Sequence, residues 1–69
     1  MALRKEDRVM AARNFGGIFR EPVPAGAHGV VVDAPLLGRT KVEFSWHDFW
    51  RGHRTVTVEV DRGEVAALR

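Results

Sequence analysis

Two runs of strict apolar–polar alternation constrain this chain more than any other feature. In Thr40-Lys41-Val42-Glu43-Phe44-Ser45-Trp46, the residues Val42, Phe44 and Trp46 fall on one side and Lys41, Glu43 and Ser45 on the other. In Arg54-Thr55-Val56-Thr57-Val58-Glu59-Val60-Asp61, Val56, Val58 and Val60 share a side opposite Thr55, Thr57 and Glu59. Side chains of an extended strand point to opposite faces in turn, so a period of two marks a half-buried β-strand. The two runs are read as a hairpin whose turn spans residues 47–53.

The rest of the chain fits around that hairpin. Gly29-Val30-Val31-Val32-Asp33 is a β-branched run closed by Ala34-Pro35, because proline has no N–H to give a ladder. Residues 8–13 are read as a first strand leading into Asn14-Phe15-Gly16-Gly17. Four glycines and two prolines between residues 14 and 29 exclude a regular helix there and predict a long meandering loop. Leu36-Leu37-Gly38-Arg39 and Arg62-Gly63 are turns, and residues 64–68 form a closing strand or one helical turn that places Val65 and Leu68 on the core. Four or five short strands with no amphipathic helix predict an all-β fold, a small antiparallel barrel, closed or half-closed. At 69 residues the chain is one domain, residues 1–69. With 45% hydrophobic and 29% charged residues it is balanced for folding rather than disorder, and with no cysteine it depends on packing alone. The expected core is Val9, Ala11, Val30, Val32, Val42, Phe44, Trp46, Val56, Val58, Val60, Val65 and Leu68. So small a core also predicts self-association.

The succession Glu6-Asp7-Arg8-Val9, Gly26-Ala27-His28-Gly29-Val30, Lys41-Val42-Glu43-Phe44, Thr55-Val56-Thr57-Val58 and Val65-Ala66-Ala67-Leu68 resembles a small bacterial SH3-like barrel along nearly the whole chain. The pattern is similar to KOW-type modules of ribosomal and transcription factors, to the β-subunit barrel of nitrile hydratases and to plasmid-borne type II dihydrofolate reductases. The resemblance implies an SH3-like barrel of about five strands with a long first loop. It implies the activity far less, because function lies in sites grafted on a fold. The type II reductases carry a Val-Gln-Ile-Tyr segment where this chain reads Val56-Thr57-Val58-Glu59, with no Gln or Tyr anywhere, which argues against that activity. Nitrile hydratases hold their metal on the other subunit. KOW modules contact RNA through a basic, glycine-rich first turn. Asn14-Phe15-Gly16-Gly17 supplies glycines and an aromatic, while Glu21 and the prolines interrupt the basic run.

One serine, one asparagine and no cysteine, glutamine or tyrosine leave few nucleophiles, so the expectation is a protein that is not an enzyme and uses no cofactor. Ser45, His47 and Asp48 do not make a triad, since on a strand Asp48 points away from the other two. His47, Asp48 and His53 follow no recognised ligand spacing, so no metal is expected. No run of about 18 apolar residues suggests a membrane span, and the charged start at residues 1–8 lacks a signal peptide's apolar stretch, so the chain is expected to be cytoplasmic.

The densest chemistry is Trp46-His47-Asp48-Phe49-Trp50-Arg51-Gly52-His53. Aromatics and arginine are enriched at binding hot spots, and the first reading is a binding module that takes a protein partner, or itself, through Phe49, Trp50, Phe15 and Phe19, with Arg51 and Arg54 orienting the contact. Either Phe15 or Phe19 is expected to close over the core as an anchor of the first loop. The second reading rests on 11 Lys and Arg against 9 Asp and Glu: a KOW-like nucleic-acid binder with Arg8, Arg13, Arg39, Lys41, Arg51 and Arg54 on phosphates and Trp50 stacked on a base. That reading requires the cations to share one face.

Overall fold

The computed structural model describes residues 3–16, 22–35 and 38–68. The alternating runs form the longest ladder, in which β3 (Thr40–Asp48) and β4 (Gly52–Val60) pair antiparallel from Thr40↔Val60 to Asp48↔Gly52. The turn is shorter than the expected 47–53. Backbone pairing continues past the apolar pattern through His47↔His53, and only Phe49, Trp50 and Arg51 remain between the strands. Strand β2 (His28–Asp33) lies against the other side of β3, followed by β1 (Arg8–Ala11). A 3-10 turn at Arg62–Glu64 then delivers β5 (Val65–Ala67) to the free side of β1, so the closing segment is a strand rather than a helical turn. The result is one antiparallel sheet in the order β4-β3-β2-β1-β5, with no α-helix among the described residues.

The sheet buries one face. Val9, Ala11, Phe15, Val23, Ala27, Val31, Val42, Phe44, Val58 and Val60 make the core, with Trp46, Val56 and Val65 packed half-buried against it. Two expectations fail on β2, where Val31 is buried, Val30 is 40% exposed and Val32 is half-buried. The ladder sets Gly29 opposite Phe44 and Val31 opposite Val42, so the inward positions are Gly29 and Val31. Three consecutive valines carry no parity, and the glycine that marks the inward face has no side chain to announce it. Leu68 also leaves the expected core. Its N–H donates to the carbonyl of Arg8, which places it with Arg8 and Val30 on the outer face.

The sheet is open. Among the described residues no ladder joins β4 to β5, so backbone pairing does not make the closed barrel that was one expectation. The first loop is also less irregular than its glycines and prolines predict. Phe15 and Val23 exchange both backbone hydrogen bonds, at 2.8 and 3.2 Å, and the Asn14 side chain accepts from the N–H of Ala25 at 2.7 Å. These bonds prolong the β1–β2 pairing and turn the loop's base into a stalk that stands over the core. The stalk and the far corner are tied by Glu64, a buried carboxylate that accepts from the N–H of Asp61 at 2.9 Å and faces the Arg13 guanidinium at 3.5 Å.

Candidate binding site

The tip of the β3–β4 hairpin is built by two local devices. Asp48 turns its carboxylate over the loop, where Oδ1 accepts from the N–H of Trp50 at 2.8 Å and of Arg51 at 3.3 Å, an Asx turn. Gly52 then leaves the loop at φ 77°, in the left-handed region that a short hairpin loop needs at its end. The bond from Trp50, followed by that from Arg51 and the charges of Arg51 and Arg54, holds the Asp48 carboxyl below its usual range against the opposing effect of partial burial.

This frame presents Phe49 at 84% and Trp50 at 87% exposure, their rings edge-to-face with centroids 5.1 Å apart. Besides Val30, they are the only large exposed apolar side chains among the described residues. Below the tip an open groove of about 640 Å3 runs between the hairpin and the stalk of the first loop. Trp46, Trp50, Arg51 and Arg54 form one wall, and Asn14, Pro22 and Pro24 the other, with Phe15 and Val23 at its floor. The Arg54 guanidinium lies 6.0 Å over the Trp46 ring, a cation–π arrangement that presents a charge beside an apolar surface.

Of the residues expected at a protein contact, Phe49, Trp50, Arg51 and Arg54 come together here. Phe15 does not join them as an exposed ring. It is 5% exposed and packs edge-to-face on Phe44 at 5.4 Å, so it anchors the loop, as one of the two loop phenylalanines was expected to do. Phe19 lies outside the described residues. The groove's second wall was not anticipated, although the paired prolines Pro22 and Pro24 are its signal in the sequence, a rigid apolar segment facing the aromatic run.

The cations expected on phosphates are scattered. Arg13 faces Glu64, and Arg39 bonds Asp61 at 2.8 Å. Arg8 lies on the outer face of the sheet, by a shallow depression of about 320 Å3 that His28, Glu43 and Leu68 also line. Lys41 sits in the ladder opposite Glu59. Arg51 and Arg54 alone of the six adjoin Trp50. The register does bring His47 and His53 directly opposite each other, but among the described residues no group of three or more His, Asp or Glu is placed to hold a metal ion.

The site therefore offers exposed aromatic surface on a hydrogen-bonded loop, two guanidiniums and one carboxylate, a set suited to holding a partner. No protein-family model, curated protein or solved structure matches the chain, so a functional reading rests on its own residues.

Proposed function

We propose that this chain is a non-catalytic binding module that takes a protein partner on the Phe49–Trp50 tip and the groove beneath it, with Arg51 and Arg54 orienting the contact. One observation carries the reading: two large rings stand almost fully in water on a hairpin whose loop is fixed by Asp48 and Gly52. Exposed aromatics of this kind lose apolar hydration free energy only when covered, and pre-ordering them lowers the entropy lost on binding. The framework in this reading is an SH3-like barrel of the open kind. The strand order β4-β3-β2-β1-β5, the long first loop and the 3-10 turn before the last strand support it, as does the segment around Gly29.

The test is quantitative affinity capture with the wild-type chain, Trp50→Ala and Phe49→Ala, followed by binding of each recovered protein at two salt concentrations. A hot-spot ring contributes about 2 kcal/mol or more, so Trp50→Ala is expected to weaken the specific partner by about 30-fold with little dependence on salt. Binding that survives Trp50→Ala, or that nucleic acid abolishes in competition, overturns the protein reading. The second of these results would favour stacking of single-stranded nucleic acid on Trp50.

A further inference from the structure

The two edges of the sheet differ. At one end β5 has three residues, too short to template another chain, while at the other β4 runs for nine, about 30 Å of strand. Among the described residues β4 pairs only with β3, so alternate N–H and C=O groups from Gly52 to Val60 face away from the sheet. Neither a proline nor a bulge, two of the devices that blunt such an edge, occurs in it, and its charges are Arg54 on the inward side and Glu59 on the outward side.

We propose that β4 is a homodimer interface, pairing antiparallel with β4 of a second copy about a two-fold axis at Val56. This surface shares Gly52 and Arg54 with the hairpin that carries the aromatic tip but uses neither the Phe49 nor the Trp50 ring. The register follows from three constraints. All nine residues pair only if Gly52 meets Val60 of the partner, and each slip of two residues loses two pairs. A slip of one residue would set the outward threonines against inward valines. In the full-length register no like charges meet: His53 lies opposite the partner's Glu59 at both ends, Thr55 opposite the partner's Thr57, and Arg54 opposite the partner's Val58. On the inward face Val56, half-buried within one chain, meets the partner's Val56 and completes its burial. The contact is isologous and closes, giving a continuous ten-stranded sheet rather than a fibre.

The absence of cysteine makes the register directly measurable. Sedimentation and light scattering across micromolar to millimolar concentration should give twice the 7.7 kDa of one chain. His53→Glu gives up the 3.3 Å contact of the ring with Thr55 and faces His47 within its own ladder but the partner's Glu59 in the dimer, and it should raise the dissociation constant about tenfold or more, with Glu59→Gln restoring it. Under mild oxidation Val56→Cys should cross-link to dimer at least about tenfold faster than Thr57→Cys, whose two copies lie on a diagonal outside disulfide reach. Trp50→Ala should leave the mass unchanged. A monomer at every concentration overturns the proposal. So does a dimer that ignores His53→Glu, one that cross-links no faster through Val56→Cys, or one that Trp50→Ala dissociates.

Discussion

Gly29 is the residue on which the fold turns most sharply. A Cβ there would stand 2.7 Å from Val42 Cγ1, 2.8 Å from Phe44 Cδ1 and 3.0 Å from the carbonyl oxygen of Glu43. The last of these is backbone in the central ladder and cannot step aside as a side-chain tip can. Gly29→Ala is therefore expected to destabilise by about 1–3 kcal/mol, the range for overpacking a filled core. In a domain of this size each kcal/mol lowers Tm by about 4–8 °C, and thermal unfolding checks the prediction. Gly63→Ala is the control, because nothing lies within 4 Å of its Cβ position, and it should change stability by no more than about 0.5 kcal/mol. The same glycine explains why the sequence gives up one part of the core and not another. Val42, Phe44, Val58 and Val60 are separated by polar residues that mark their face. Val30-Val31-Val32 has no such marker, and its parity is decided by the long-range pairing of Gly29 with Phe44.

At the scale of the element, the β3–β4 hairpin joins fold to site. Its strands are legible because alternation is a local signal; the length of its turn is not, because His47↔His53 pairing depends on where Asp48 and Gly52 close the loop. Asp48 is the control point. Its carboxyl sits below the usual 3.8, chiefly through the N–H of Trp50. A carboxylate whose folded value is depressed stabilises the folded form above its unfolded value and loses that contribution as pH falls through the folded one. In an acid titration the amide resonances of Trp50 and Arg51 should therefore move together, with a midpoint below 3.8. Asp48→Asn, which keeps an acceptor, should hold the Phe49–Trp50 contact without that titration. Asp48→Ala should lose both the titration and the edge-to-face ring signature. If the two amides titrate at different pH values, Asp48 does not hold the loop.

Across the whole molecule, the placement of charge bears on the partners the sequence leaves open. Counting residues gives a basic chain but not a basic face, because the acids that engage Arg13 and Arg39 are Glu64 and Asp61, far along the chain and brought in by the 3-10 turn. Arg8 and Lys41 sit on the outward side of the sheet, away from the groove that Arg51 and Arg54 line. Of those six cations, a nucleic acid stacked on Trp50 thus meets the two guanidiniums of Arg51 and Arg54. Each phosphate contact on a single strand contributes about −0.7 to the slope of log K against log salt, so two contacts give about −1.4 and six about −4. Titrating a fluorescent oligonucleotide at several salt concentrations measures that slope. The expected result is weak binding with the shallower value, since reaching the steeper one would require bringing both faces of the sheet to one strand. A slope near −4 would overturn this layout of charge and move the binding surface away from the aromatic tip.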